Sequence, residues 1–223
     1  MATNSNTRST AQSPLKAATV TRKPSGKQRI LEAAETLFAN QSFPNVSAAE
    51  IARQAGVAHG LLFHHFGSME ELYCEVTLAA ANRMDELQLA AFRGRTAREQ
   101  ITSFLKAHMR AVKQREGDAV FRSQSFDATE RVASIWEDSR QRAIDRIFAS
   151  MAISQPTTKE RACLRAWLAF HDRLVISWLS EQTLKESEVI SLTMRQLTVL
   201  CDEVLEVDCV SLTRNPGPPN GGG

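Results

Sequence analysis

Apolar residues recur at helical spacing along most of this chain. From residue 25 to about residue 208 they follow the order i, i+3, i+4 and i+7, which places them on one face of a helix. Glycine and proline are sparse in this region, and no convincing run alternates apolar and polar residues as a half-buried strand does. The pattern predicts an all-α protein.

The first predicted helix begins at a capping signal. Ser25 and Gln28 form a capping-box pattern, and the apolar periodicity that follows ends near Asn40. The side chains predicted to be buried on this helix are Ile30, Ala33, Ala34, Leu37 and Phe38.

Two shorter helices are predicted next, separated by a tight turn. The Ser47 hydroxyl can cap the first of them, with Ile51, Ala52 and Ala55 turned inward, and Gly56 should end it. The second is predicted to run from near residue 58 to about residue 66. Together with the first helix they form a small three-helix unit.

Longer amphipathic helices are predicted after this unit. Ser68 should cap a helix from Met69 to about Phe92, and Glu70 and Glu71 suit its positive N-terminal end. The remaining helices are predicted at about 97–115, 118–126, 129–153, 158–182 and 186–208.

Composition and charge exclude several classes of protein. The chain has 223 residues, of which 43% are hydrophobic, and no apolar run approaches the ~20 residues that span a bilayer. The N-terminus lacks the apolar core of a secretory signal, so we expect no membrane association and a cytoplasmic protein. The four cysteines are scattered without a Cys-x-x-Cys pair, as free thiols would be.

Positive charge is concentrated at the N-terminus. The net charge is only +2, yet residues 1–31 hold six cations and no acidic residue. Between residues 31 and 66 the only cation is Arg53, against three glutamates. The first ~25 residues are rich in Ser, Thr, Asn and Ala, so we expect a disordered basic arm at 1–24, and a disordered tail at 211–223.

Residues 47–66 have the pattern of a helix-turn-helix, whose second helix enters the major groove of DNA. The stretch from Arg29 to Tyr73 resembles the DNA-binding domain of the TetR family of bacterial transcriptional regulators. The resemblance rests on Ile-Leu-x-Ala-Ala-x-x-Leu-Phe in the first helix, Ile-Ala-x-x-Ala-Gly-Val at the turn, and His-Phe at the end. It implies a helix-turn-helix domain at 25–68 and a variable helical domain for ligand binding and dimerisation at 69–210.

The predicted recognition helix, within AGVAHGLLFHHF, has an inward and an outward face. Spacing turns Val57, Leu62 and Phe66 inward and leaves the rest of the helix outward, where apolar side chains can touch the thymine methyl group. His59, Leu61, Phe63 and His64 are the residues predicted to point outward. The candidate DNA contacts are Arg22, Lys23, Lys27, Ser47, His59, Gly60, Leu61, Phe63, His64 and His65.

This helix departs from the family pattern in its polar groups. Members often carry Ser, Lys, Thr and Tyr where this chain has Ala58, His59, Leu61 and Phe63, and Met69 replaces a frequent Lys. The Ser47 hydroxyl, the amides at helix starts and the histidines, mostly neutral at neutral pH, remain to bind phosphate. The basic arm would supply the missing charge, or the helix-turn-helix is degenerate and serves only as an interaction module.

The last two long helices carry continuous apolar stripes. Such stripes suit either a monomer core or a two-fold dimer, and the resemblance implies a homodimer built from the helices at about 158–182 and 186–208. The stripes consist of Leu164, Trp167, Leu168, His171, Leu174, Val175, Trp178 and Leu179 in the first helix and Val189, Leu192, Gln196, Leu200 and Val204 in the second.

Two histidines lie within apolar stripes of the second domain. His108 and His171 are either satisfied core groups or the polar groups of a ligand pocket, which is otherwise apolar. The resemblance places an effector site inside this bundle and implies a small organic ligand. The candidate lining is Phe104, His108, Phe121, Trp136, Trp167, Phe170 and His171.

The sequence therefore predicts a dimeric transcriptional repressor that a small organic effector releases from its DNA operator. An interaction module and an enzyme of unrecognised type are the alternatives. The chain has no Gly-rich phosphate loop, nucleophile elbow or Glu-x-x-His pair, so we expect no enzyme and no cofactor. We also expect no metal site, because His64 and His65 diverge by about 100° on a helix and make a poor chelate with Glu70.

Overall fold

The computed structural model describes residues 24–114 and 130–205. All regular structure in these residues is helical, in agreement with the predicted all-α class. The α-helices in chain order are α1 (Gly26–Asn40), α2 (Ala48–Ala55), α3 (His59–Phe66), α4 (Met69–Ala91), α5 (Ala97–Gln114), α6 (Glu130–Ser150), α7 (Thr158–Glu181) and α8 (Glu186–Leu200). A 3₁₀ turn at Phe43–Asn45 precedes α2, and a π-helical turn at Cys201–Leu205 continues α8.

Serine and threonine caps set the starts of five helices. The hydroxyls that accept a hydrogen bond from the backbone amide three residues later, at 3.1 or 3.2 Å, are those of Ser25, Ser47, Ser68, Thr96 and Thr157. These local bonds explain why the predicted helix starts agree with the structure. The arm at 1–24, apart from its last residue, the short helix predicted near 118–126 and the tail at 211–223 lie outside the described residues.

The hydrophobic interior consists of two clusters, and two helices contribute to both. The N-terminal cluster includes the buried faces of α1, α2 and α3, together with Leu72 and Ala81 of α4 and Trp136 of α6. The C-terminal cluster joins α5, α7 and α8 to Met84 of α4 and Ile144 of α6. The N-terminal unit, expected to end at residue 68, therefore shares its core with the first half of α4 and the start of α6.

A buried carboxylate fixes α4 against α6 between these clusters. Asp85 accepts a 2.7 Å hydrogen bond from the Ser139 hydroxyl and pairs with Arg142, while the Arg146 guanidinium lies 3.9 Å away. A buried carboxylate is stable only when such donors replace its lost hydration. Both helices are thus held in register where they pass from one cluster to the other.

None of the helices within residues 24–114 and 130–205 combines the length and apolarity needed to cross a membrane.

Candidate nucleic-acid interface and ligand cavity

The turn between α2 and α3 is stabilised by a glycine and by hydrogen bonds from Arg29 of α1. Gly56 has φ 63°, a left-handed conformation that glycine adopts without strain, and the Val57 amide donates back to Ala52 O at 3.0 Å. The Arg29 guanidinium donates to Ala55 O at 3.0 Å and to Gly56 O at 3.1 Å. These bonds satisfy carbonyls at the end of α2 and fix the angle at which α3 leaves the turn.

One face of α3 packs in the N-terminal cluster, and the opposite face is exposed to solvent. Leu62 and Phe66 are buried in the N-terminal cluster, and Val57 packs against it, as predicted. His59, Phe63 and His64 are exposed, and Phe63 retains 40% of its accessible surface. An exposed phenylalanine beside histidines forms a surface that combines apolar contact with hydrogen bonding.

Leu61 does not point outward as predicted. It is partly buried against the N-terminal cluster, and its Cδ2 lies 3.0 Å from where a Cβ would stand on Gly26. His65, one turn later, is also directed to this side, with its Nε2 3.8 Å from the same point, although it remains exposed. The start of α1 covers this side of α3, which periodicity within α3 could not reveal.

Lys27 is engaged within the protein. Its Nζ lies 3.0 Å from Glu75 Oε2 and 5.1 Å from the centroid of the Phe66 ring, so it joins α1 to α4. Its half-exposed side chain is therefore oriented by this pair, and the prediction of a DNA contact finds no support in its position. Arg22 and Lys23 lie outside the described residues.

Two hydrogen-bonding groups remain available at the starts of α2 and α3. The exposed Ser47 hydroxyl accepts from the Glu50 amide, which leaves its own proton free to donate to a phosphate. Ala58 caps α3 without a side-chain oxygen, so the first amides of α3 can donate to an anion. Gly60 is exposed here, and a Cβ added to it would meet no described atom within 4 Å.

The candidate contacts omitted one exposed cation of the helix-turn-helix. Arg53 lies in the last turn of α2 with its side chain exposed. Its position as the only cation between residues 31 and 66 was the sequence signal that could have found it.

Residues 30–76 match the model of the family described as bacterial regulatory proteins, tetR family. The chain is therefore similar to this family from α1 to the start of α4. It is 27% identical over 106 residues to the HTH-type transcriptional repressor AcnR of Corynebacterium glutamicum, a match that covers 45% of this chain and 56% of AcnR. It is 35% identical over 63 residues to the HTH-type transcriptional regulator AcrR of Shigella flexneri, covering 28% of this chain and 29% of AcrR.

The chain thus spans about half the length of AcnR and less of AcrR. A solved TetR-family regulator from Streptomyces coelicolor extends the likeness to the TetR fold of both domains. It superposes with a TM-score of 0.71 and covers 83% of this chain and 86% of its own, at 18% sequence identity. Identity at this level shows the fold alone.

A cavity lies in the C-terminal helical bundle, where α4, α5, α6 and α7 meet. Its volume is about 50 Å³, room for one or two water-sized groups, and it opens to the surface. Four of the predicted lining residues are present: Phe104, His108, Trp136 and His171. The structure adds Met84, Gln88, Ser139, Arg140, Ala143, Leu168 and Asp172.

Two predicted lining residues lie elsewhere. Trp167 is buried in the C-terminal cluster, where its indole N–H donates to Thr193 O at 2.9 Å. Phe170 is 39% exposed on the outside of α7. Phe170 directly precedes His171, so it points about 100° away from it on α7, whereas Trp167 lies one turn before His171 and directs its indole to α8. Phe121 lies outside the described residues.

A polar chain crosses the cavity, and its members other than His108 were missing from the prediction. Gln88 Nε2 lies 3.2 Å from His108 Nδ1, and His108 Nε2 lies 3.3 Å from Asp172 Oδ1. Asp172 Oδ2 accepts from Arg140 at 3.3 Å, and Arg140 also reaches Glu137 at 3.3 Å. His108 and Arg140 hold the pKa of the Asp172 carboxyl below its ordinary value, against the opposing effect of burial. The carboxylate is therefore ionised at neutral pH.

His171 is the most deeply buried polar residue among the described lining of the cavity. Burial lowers the pKa of its imidazole to about 3, and the nearby His108 acts in the same direction, while Asp172 opposes them. The ring is therefore neutral throughout the physiological pH range. Its Nδ1 lies 3.1 Å from the Thr193 hydroxyl on α8.

Burial of His171 predicts a loss of stability in mild acid. The unfolded chain takes up a proton at this residue below pH 6.5, whereas the folded protein does so only near pH 3. Stability is thus complete above pH 6.5 and falls as the pH drops toward 3. The expected change is about 1.5 kcal/mol between pH 6.5 and pH 5, from about 1.4 kcal/mol per pH unit for one proton.

The measurement is urea unfolding of the wild type and of His171→Asn at one protein concentration and several pH values. Asparagine keeps a donor for Thr193 but does not titrate, and His108, Asp172 and Arg140 remain in both proteins. The free energy of unfolding of the variant should depend less on pH in this window. Parallel curves would contradict the neutral, buried state of His171.

Proposed function

We propose that this protein is a sequence-specific DNA-binding transcriptional regulator, a dimeric repressor that a small organic effector releases from its operator. The observation that carries the proposal is the turn between α2 and α3, which Arg29 holds by two hydrogen bonds. Beyond this turn, α3 exposes His59, Phe63 and His64 to solvent. A helix held in this way is suited to the major groove, where imidazoles hydrogen-bond base edges and apolar groups contact thymine methyls. Such a regulator would act in the cytoplasm, where bacterial DNA lies.

Phosphate binding would be shared between several weak groups. The Ser47 hydroxyl, the first amides of α3 and the exposed Arg53 are suited to it by position, and the basic residues before α1 would add long-range attraction. Lys27 would contribute less, because Glu75 neutralises it. Affinity should therefore depend strongly on salt, while α3 supplies the preference for bases.

Helix α4 provides the route from the cavity to the DNA-binding unit. Its residues Met84 and Gln88 line the cavity, and one to four turns earlier Leu72 and Ala81 pack in the N-terminal cluster. Trp136 belongs to that cluster and also lines the cavity. A ligand that separates α4 from α6 would shift the position of α3, and a dimer with displaced recognition helices would leave the operator.

The dimer would form through the outer faces of α7 and α8. Phe170 on α7 and Val199 on α8 are 39% and 49% exposed, although the buried face of each helix packs in the C-terminal cluster. Half-buried Leu192 lies two turns before Val199 on α8. Large apolar side chains left exposed on the outer faces of packed helices are typical of subunit interfaces.

Gly60→Ala tests the contact of α3 with DNA. Alanine raises helix stability by about 0.5–1 kcal/mol over glycine, and the added Cβ meets nothing in the protein. If the backbone at Gly60 lies against DNA, the variant should be more stable than the wild type and bind its preferred DNA at least about tenfold more weakly. The DNA is first obtained by selection from random duplexes at low and moderate salt, and affinity is then measured by gel shift.

The alternative is a helix-turn-helix that serves only as an interaction module, favoured by the lack of lysine and arginine on α3. Selection that enriches no sequence at any salt would support this alternative and reject the proposed regulator. A more stable Gly60→Ala protein with unchanged DNA affinity would place the DNA on another face.

A further inference from the structure

Two buried hydrogen-bond acceptors in the cavity have no partner among residues 24–114 and 130–205. They are His171 Nε2 and Gln88 Oε1, whose residues are only 1% and 5% exposed. Both residues line the cavity. Buried polar atoms are almost always paired in folded proteins, because an unpaired one loses its hydration without compensation. Two such atoms in one cavity point to a ligand that would pair with them.

The hydrogen bond at Nδ1 of the His171 ring determines that the other nitrogen, Nε2, is an acceptor. Thr193 Oγ1 donates its one proton to Val189 O at 2.8 Å, so it can only accept from His171 Nδ1, 3.1 Å away. The ring proton is therefore on Nδ1. The imidazole is neutral, because burial lowers its pKa to about 3, and Nε2 consequently carries a lone pair.

Gln88 offers its acceptor for a similar reason. Its Nε2 lies 3.2 Å from His108 Nδ1 and supplies the donor of that pair, which leaves Oε1 unpaired. Gln88 lies on α4 and His171 on α7, so a ligand bonded to both would join the two helices across the cavity.

The charges of the cavity disfavour an anion. Asp172 is an ionised carboxylate in the lining, and Arg140 is the one permanent cation among the described lining residues. Arg140 is shared between Asp172 and Glu137, each at 3.3 Å. Among the described lining residues no guanidinium is therefore left to receive a carboxylate or phosphate, and two unpaired acceptor lone pairs would repel an anion.

We propose that the cavity binds a small amine, amide or alcohol, whose N–H or O–H groups donate to His171 Nε2 and Gln88 Oε1, and that it rejects anions. The apolar part of the ligand would lie against Phe104 and Trp136. This inference rests on the proposed function, since it names the chemical class of the effector. It also requires the cavity to widen, because a volume of about 50 Å³ accepts only the polar end of such a molecule.

The test is calorimetric titration of the full chain, without DNA, with four probes of similar shape at concentrations up to about 5 mM, the range expected for so few heavy atoms. Benzylamine and benzyl alcohol carry donors, toluene carries no polar group, and benzoate is an anion. The donors should bind at least about tenfold more tightly than toluene, and benzoate should not bind. Equal binding of benzoate and benzylamine would overturn the proposal, as would the absence of binding by both donors.

Variants test whether the two acceptors cause the preference for ligands that carry N–H or O–H donors. His171→Asn keeps a donor for Thr193 but removes the acceptor at Nε2, and Gln88→Met removes Oε1 at similar volume. Each should reduce the benzyl alcohol to toluene ratio severalfold. Thr193→Val, which lies outside the lining, should reduce it too, because the ring proton is no longer held on Nδ1. Gln141→Met, a glutamine outside the cavity, should keep the wild-type ratio.

An unchanged ratio in both His171→Asn and Gln88→Met would show that the acceptors do not select the ligand. The titration uses no DNA, and the selection of operator DNA uses no ligand. Failure of donor binding is therefore distinguishable from failure of the DNA-binding proposal.

Discussion

The double variant Phe170→Asp with Val199→Asp is expected to be a monomer that binds operator DNA at least about a hundredfold more weakly than the wild type. Both side chains lie on the outer surface of α7 and α8 and retain 39% and 49% of their accessible area. Four carboxylates, two from each subunit, would be buried near one another in a two-fold interface, and such charges cost far more than the apolar contacts they replace. A monomer contacts a single half-site and loses the second binding event.

Sedimentation at micromolar concentration measures the assembly, and gel shift on a selected operator measures the affinity. Leu89→Asp is the matched control, because Leu89 is 58% exposed on α4 and is not part of the proposed interface on α7 and α8. It should leave assembly and affinity within about twofold of the wild type. A double variant that remains dimeric would place the interface elsewhere.

Arg29→Met is expected to lower the free energy of unfolding by about 1.5–3 kcal/mol and to weaken DNA binding at least about tenfold. Methionine preserves much of the apolar stem but cannot bond Ala55 O and Gly56 O. Hydrogen bonds from a charged donor contribute about this much, and the orphaned carbonyls lie where α2 must stop and α3 begin. The larger functional effect arises because α3 loses its fixed orientation.

Arg53→Met distinguishes the structural effect of Arg29 on the turn from the effect of losing a phosphate contact. Arg53 is exposed on α2, so its replacement should change stability by less than about 0.5 kcal/mol. If it binds phosphate, the slope of log affinity against log salt should fall by about 0.9 for each Arg53 in contact, which is about 1.8 for a dimer. For Arg29→Met the slope should stay nearly constant while stability falls. If Arg29→Met kept the stability and DNA affinity of the wild type, the turn would not depend on the hydrogen bonds from Arg29.

Local signals predicted the helices accurately where a cap or a breaker marks the boundary. Ser25 and Ser47 begin α1 and α2 through bonds to an amide three residues later, and Gly56 ends α2 in a conformation that favours glycine. Such interactions lie within one turn of chain, so they are visible in the sequence. The N-terminal core was predicted for the same reason, since a 3.6-residue period determines which side chains share a face.

Positions that depend on a second helix were predicted less well. Leu61 was expected outward but is covered by the start of α1, and Lys27 was assigned to DNA but pairs with Glu75 on α4. In the cavity, apolar periodicity suggested His108 and His171, whereas Gln88 and Asp172 face it only because α4 and α7 meet there. Periodicity gives the direction of a side chain on its own helix and contains no information about what lies opposite.

The sequence by itself determined the all-α fold, the helix boundaries and the helix-turn-helix, because caps, glycine turns and apolar periodicity are local properties of the chain. Only the tertiary structure decided which polar groups are engaged: Arg29 on the turn carbonyls, and His171 donating to Thr193 with its Nε2 turned to the cavity. Each of these bonds joins residues 22 to 27 positions apart. Their geometry is determined by how whole helices pack, and helix packing depends on all the contacting side chains together.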